Sequence, residues 1–561
     1  ARDEAERQLA AQREREAETR RTLRRTRRIA VVSAVLMLVA LASAIFGWVN
    51  YNRAHRADLA AQQARSDAEQ LVGFLIEDFY AELEPTGRLE TMGKLANLAV
   101  EYYDGLPPGL VTPQTQLYHG MALVRMGGVQ LASDKTEDGM RSLERARELF
   151  EQRVAAGDES EAVTLGRALT LFTPYVAWGP GGAPGSKSTD LPEAAALLRP
   201  FVTSPEGSRE AKIVYADILN HLSHAQPQVQ AVETCEEARG ILAGLGARDL
   251  TDLSAASVYA DTADSQARHA LELGRLDDAA RLEREVYEIA EAVLARRPGD
   301  LRSMKNRALA ADLLGRIALR RGDFSTASEF AVRSEQASDD IVRFNPGDVG
   351  SWVYLVRAGN RSATVLYEQG RLREALAKLE STVALAADER LPPSSAAVFE
   401  DTWYQLAESQ MELGLRADAE RTLVSAAAAT EVSAAQFGEG NPRRRMGLGR
   451  PKAERAWLAL RTGEAEAAFT GFQSIIAELD QIEFPTDDQL GQSIHDDYTS
   501  WTLGALTDAA IQLSRFPEAE AAARRRMALP GSAFGDVVRE KADRHLRLAH
   551  ALAKLGRPTE A

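Results

Sequence analysis

A single cysteine, Cys235, stands among 561 residues. That scarcity excludes an intrachain disulfide framework and any zinc or iron–sulfur centre built from several thiolates. Aromatic residues make up only 6%, a balance that favours helices over sheets. Positive charge is also short. Lys and Arg number 67 against 82 Asp and Glu, a net −15, which argues against nucleic acid as the partner. Long apolar runs are almost absent, with one exception near the start. What remains, 45% hydrophobic and 27% charged residues, is the composition of a folded chain.

Catalytic signatures are missing too. There is no Gly-x-Ser-x-Gly elbow and no His-Glu-x-x-His pair, so no catalytic, metal or cofactor-binding residue is assigned. The Gly/Pro-rich stretch 179–189 lacks the adjacent Gly-Lys of a phosphate loop, because Ser186 separates Gly185 from Lys187. It reads as a loop between repeats. His221 and His224, with Asp217 upstream, share one helical face but supply too few donors for a metal site. His495-Asp496-Asp497 reads as a helix start or polar loop. Cys235 lies among Glu233, Glu236 and Glu237, and acidic neighbours raise a thiol pKa. The cluster Arg443-Arg444-Arg445 with Arg450 and Lys452 reads as a solvated loop, within a Gly/Pro-containing interruption at 438–451.

The one apolar run extends from Ile29 to Val49, 21 uncharged residues. A helix of that length spans about 30 Å, the hydrocarbon thickness of a bilayer. Trp48 and Tyr51 lie at its far end, where aromatic rings favour the interface. Residues 9–28 hold eight Arg and residues 50–69 hold three, so the N-terminal side is expected to face the cytoplasm. Ala42-Ser43-Ala44 has the look of a signal cleavage site, but the long charged leader and the apolar residues beyond it favour an uncleaved anchor. The expected organisation is a charged juxtamembrane helix at 1–28, a transmembrane helix at 29–49 and connecting helices at 50–108. Divergent helical repeats follow at 109–255 and regular ones at 256–561. A stripe of Leu71, Phe74, Leu75, Phe79 and Leu83 is expected to end at Pro85 and Gly87. The chain opens on Ala1 rather than methionine, so a preceding segment is expected.

The most informative pattern is internal repetition. Gly274, Gly322, Gly370, Gly414, Gly463, Ser514 and Gly556 are each followed by alanine five positions on, with a weaker copy at Gly157 and Ala162. Successive intervals are 48, 48, 44, 49, 51 and 42. Pro298 and Pro346 keep the same step. A fixed period with phased Gly and Pro predicts stacked helix–turn–helix units. One unit is expected to place helices at about Ser303–Arg320 and Ser325–Phe344, with Leu309, Leu313, Leu314 and Ile317 on one face.

These small residues, the alanines five later and the closing prolines resemble the tetratricopeptide repeat family over most of residues 110–561. Tyr259, Phe324, Phe330, Tyr367 and Phe469 fit its bulky positions. Units of 42–51 residues are longer than the usual 34 or so. The resemblance implies an all-α helix-pair solenoid with a concave surface for protein or peptide partners. The Arg-rich helix, span and repeats together are similar to the rear portion of large bacterial multidomain signalling proteins. That likeness implies an inner-membrane scaffold, a non-enzyme, whose repeats bind partners or oligomerise outside the cytoplasm. A structural envelope-assembly scaffold and a hydrolase site within 110–255 are the alternatives.

Overall fold

A computed structural model describes residues 2–74, 89–133, 135–179, 181–346, 348–391, 393–435, 437–485, 488–530, 537–557 and 559–560. The chain divides into two units, 1–75 and 76–561. The first is one uninterrupted helix, α1, Arg2–Phe74, of 73 residues. The sequence permits this because no proline occurs in it and its only glycines are Gly47 and Gly73. Within it, Glu18–Leu59 contains an 18-residue stretch apolar enough to cross a membrane, with a mean hydropathy of 2.7 and none of it buried. Met37 is 72% exposed. The break expected at Pro85 and Gly87, and the stripe residues Leu75, Phe79 and Leu83, lie outside the described residues.

The second unit consists of helices joined by turns and loops among its described residues. After α2 (Leu89–Asp104) come α3 (Pro113–Ala132), α4 (Thr136–Ala155), α5 (Glu161–Trp178), α6 (Asp190–Thr203), α7 (Arg209–Ser223) and α8 (Gln228–Gly244). Next are α9 (Leu253–Glu272), α10 (Leu276–Arg296), α11 (Leu301–Arg320), α12 (Phe324–Phe344), α13 (Val349–Glu368) and α14 (Leu372–Ala384). The series closes with α15 (Glu400–Glu412), α16 (Arg416–Ala435), α17 (Pro442–Arg461), α18 (Ala465–Leu479), α19 (Gln489–Gln512), α20 (Phe516–Ala528) and α21 (Val537–Lys554). From α3 onward the helices pair as hairpins, and each pair packs on the next. The result is an all-α helix-pair solenoid.

The phased turn residues build the hairpins. Gly274, Gly322, Gly370, Gly414, Gly463 and Gly556 all have φ between 73° and 86°, and Ser514, in the same place, has φ 57°. The residue after each turn donates its N–H to the carbonyl five positions back, as Arg275 does to Ala270 at 2.8 Å and Arg515 to Ala510 at 2.8 Å. This left-handed cap satisfies the last carbonyls of the first helix and reverses the chain. The following alanines, Ala279, Ala327, Ala375, Ala419, Ala468 and Ala519, are all buried where the two helices meet. Aspartates keep the same phase at the other end. Asp252, Asp300 and Asp348 cap α9, α11 and α13 by accepting from backbone N–H groups of the first turn. The weaker copy is half-formed, since Gly157 turns at φ 87° but Ala162 is exposed.

First helices of successive pairs touch one another along the row, α3 to α5 to α7 and onward to α21. No second helix makes comparable contact with the next second helix among the described residues. The first helices therefore line the inner face of the array, and the second helices its outer face.

Several expectations are corrected. The interruption at 438–451 is helical from Pro442. Asn441 caps it, and proline is tolerated at a first helical position because no N–H partner is needed there. Leu309 does not share the buried face of Leu313, Leu314 and Ile317; it lines the inner face. Phe324 and Tyr367 are exposed, unlike Tyr259 and Phe469.

Candidate functional site on the inner face

The inner faces of α7, α9, α11 and α13 form a charged lattice around a cavity of about 540 Å³. Its backbone is a set of ion pairs, most of which connect residues far apart in sequence. Arg302 donates to Asp217 at 2.7 Å and to Asp261 at 2.6 Å. Arg268 makes two bonds to Asp264, at 2.8 and 2.9 Å. Asp312, 2% exposed, receives Arg361 at 2.8 Å and lies 3.2 Å from Arg357. Burial pushes the carboxyls of Asp217 and Asp312 up, but the facing arginines outweigh it and hold both below the usual range. Beneath the lattice on α10, Glu283 is fully buried and neither carboxylate oxygen has a hydrogen-bond partner. Burial and the nearby Asp264 raise its pKa well above the ordinary value.

Two cations remain over. Lys305 and Arg316, both on the inner side of α11, form no ion pair among the described residues. Lys305 lies 5.7 Å from the Tyr354 ring centroid. Burial lowers the Lys305 ammonium pKa, and burial together with Arg361 brings the Arg316 guanidinium down to about 10. The Arg316 guanidinium still carries its charge near neutral pH. In a chain of net charge −15, this stretch of surface therefore presents surplus positive charge to whatever enters it.

The residues singled out from the sequence have other duties. His221 contacts the Asp217 carbonyl oxygen through Nδ1 at 3.0 Å, while the Asp217 carboxylate is held by Arg302. His224 lies 3.3 Å from Ser265 Oγ, and His269 bridges Gln228 and Ser223. Burial lowers the His224 pKa to about 3 and the His269 pKa to about 4, so both rings are neutral. Among the described residues no group of three or more His, Cys, Asp and Glu could hold a metal ion. The Asp217–His221–His224 neighbourhood is an ion-pair and ring-packing cluster. His495 lies within α19 and contacts the Leu479 carbonyl at 3.1 Å.

The 179–189 stretch is a loop anchored by Tyr175, whose hydroxyl donates to the Lys187 carbonyl at 2.6 Å; Pro180 lies outside the described residues. Cys235 is buried, and its thiol is pushed up to about 11 by that burial rather than by its glutamate neighbours. The basic cluster on α17 is already engaged. Arg443 pairs with Asp488, Arg450 with Asp401 at 2.7 Å, and Lys452 with Glu478 at 2.8 Å. Arg444 and Arg445 donate to backbone carbonyls. Sequence reasoning missed the lattice because its partners sit one or two repeats apart; the only signal was the charge density of first helices.

No family model matches the chain, and no curated protein matches it. Solved structures of related shape include the Rap protein complexed with Competence and Sporulation Factor, at 11% identity, covering 77% of this chain and 99% of that one with a TM-score of 0.41. A human IFIT1 dimer with PPP-AAAA follows at 15% identity, 82% and 84% coverage and a TM-score of 0.36. The APC/C hetero-tetramer Cut9-Hcn1 is similar at 14% identity, 88% and 95% coverage and a TM-score of 0.26. These likenesses are distant, and the helix-pair solenoid stands on this chain's own turns and packing.

Proposed function

We propose that this chain is a membrane-anchored helical-repeat scaffold that binds a carboxylate-bearing protein or peptide segment along the inner face of α7 to α13. The observation that carries the reading is the pair of unmatched cations, Lys305 and Arg316, on a face that otherwise neutralises its charges internally. A buried or half-buried cation without a counter-ion is favourable only when a ligand supplies one. An extended segment laid across four first helices would meet several such positions at once. The test is a peptide array probed with the full chain in detergent micelles. Captured sequences should be enriched in Asp and Glu, and K305E together with R316E should abolish that enrichment. Capture without acidic preference would overturn the reading.

The anchor is the exposed apolar stretch of α1. Ile29 to Val49 would cross the inner membrane, with the Arg-rich side in the cytoplasm and the repeats outside it. Protease should then digest the repeats in intact spheroplasts; protection would overturn this topology. The scaffold would be the sensing or oligomerising part of a transmembrane signalling protein, with α1 passing the bound state across the span. A flexible Gly/Ser insertion near residue 60 should leave partner binding intact and abolish signalling.

A further inference from the structure

The inner face changes sign beyond α13. One register position, six residues before each turn, reads Arg268, Arg316, Thr364, Glu408, Trp457 and Asp508 along the array. In α15 and α17 three carboxylates, Glu400, Asp401 and Glu454, share one guanidinium. Arg450 lies 2.7 Å from Asp401, 3.9 Å from Glu400 and 4.0 Å from Glu454 Oε1, with its head 4.1 Å from the Tyr404 ring centroid. Arg461, further along α17, is committed to Glu412 at 2.6 Å.

Glu454 is only 5% exposed, yet its Oε2 makes no hydrogen bond. Glu408, half-buried, has no ion pair among the described residues. The buried Tyr498 hydroxyl is likewise unbonded. Tyr498 stacks on Trp501 with ring centroids 6.2 Å apart, and Trp457 lies 6.1 Å from the same Trp501. Unsatisfied buried carboxylate beside electron-rich rings is the environment of an organic cation, which gains both charge pairing and ring attraction. A hard metal ion would want more oxygen ligands than this aromatic wall gives.

We propose that Glu408 and Glu454 form a subsite for an organic cation, the arginine or lysine side chain of the segment bound along the inner face. This rests on the reading of that face as a binding groove and adds a second, opposite recognition element to it. In the free protein a proton stands in for the ligand. Burial and the facing Glu408 carry Glu454 up to about 8, and burial raises Glu408 as well. The groups facing the pair are Glu400, Asp401, Tyr404 and Glu412 on α15, and Arg450 and Arg461 on α17. Tyr498 on α19, Glu478 on α18 and Tyr367 on α13 complete the surroundings. A bound guanidinium displaces the Glu454 proton, so affinity rises with pH between 6 and 9.

The test needs no knowledge of the natural partner. Calorimetry on the full chain in detergent micelles compares N-acetyl-arginine methylamide with N-acetyl-citrulline methylamide, which has the same shape without the charge. At pH 7 the arginine probe should bind at least tenfold more tightly and release a proton, read from the dependence of the heat on buffer ionisation. E408Q/E454Q should bind both probes equally. Equal affinities in the wild type, or an undiminished preference in the variant, would overturn the proposal. If the variant does not fold by far-UV circular dichroism, the wild-type proton count decides, and no proton released rejects the subsite. A failure here leaves the acidic-peptide preference governed by Lys305 and Arg316 standing, and the converse failure leaves this result standing.

Discussion

Along α9, α11 and α13 the inner face interleaves arginine with aspartate until nearly every charge is matched and two cations are left over. Along α15 and α17 the same face carries glutamate and tyrosine around Arg450, and acid is left over. The turns that set the register are alike in both halves, with glycine at φ 75°, 73° and 75° after α9, α11 and α13, and 73° and 86° after α15 and α17. The backbone phase and the chemistry it displays are therefore independent. Each helix pair packs on its immediate neighbours, so one stretch can be rewritten in charge without disturbing the fold of another.

The comparison can be broken most strongly at Asp312, the hub of the cationic half. Asp312→Asn removes the buried partner of Arg357 and Arg361 and should cost about 3 kcal/mol, because two partly buried guanidinium groups lose their counter-ion. Urea denaturation should show the loss; a change within experimental error would mean that both arginines simply turn outward.

Next in size is the acidic half. Glu454 has a folded pKa of about 8, above its unfolded value near 4.3. The native state therefore holds a proton that the unfolded chain has released, and stability falls as pH rises from 5 to 8. Glu454→Gln removes that dependence and should stabilise the protein at pH 9 by on the order of 2–3 kcal/mol, with little effect at pH 5. A variant with an unaltered pH profile would show that Glu454 is ionised in the folded chain.

The cationic half should respond to acid instead. His224 is neutral when folded, with its pKa down to about 3, while the unfolded imidazole takes up a proton below about 6.5. Stability is thus lost as pH falls through 6.5, by about 2 kcal/mol at pH 5 from this ring alone. His224→Gln should flatten the curve between pH 7 and 5, measured as the shift in urea midpoint. The smallest effect sharpens the point about phase. Ser514 occupies the left-handed turn position that glycine fills elsewhere, so Ser514→Gly should stabilise by about 0.5–1 kcal/mol, visible as a raised melting temperature.

The architecture was legible in the sequence because it is written locally. A left-handed turn needs glycine, the next helix needs a small residue one turn in, and both recur at a step of about 48. Expected helices at Ser303–Arg320 and Ser325–Phe344 met observed ones at Leu301–Arg320 and Phe324–Phe344. The site was far less legible. Arg302 meets Asp217 across 85 positions and Arg361 meets Asp312 across 49, and no periodicity says which charge faces which. Arg443 to Arg445 misled because Pro442 and Pro451 suggested a loop, whereas the first is harmless at a helix start and the second is carried inside α17. Cys235 had the right direction of shift for the wrong reason, because burial is a tertiary property.

The unbroken helix of the first unit has a mechanical consequence. Its 73 residues make a rod about 110 Å long. Such a rod resists bending and twisting together, so it handles translation and rotation very differently. Adding a single residue within it would lengthen the rod by only about 1.5 Å but turn everything beyond through about 100°. The two ends of the rod are thus coupled as a crankshaft couples its ends, through angle far more than through distance.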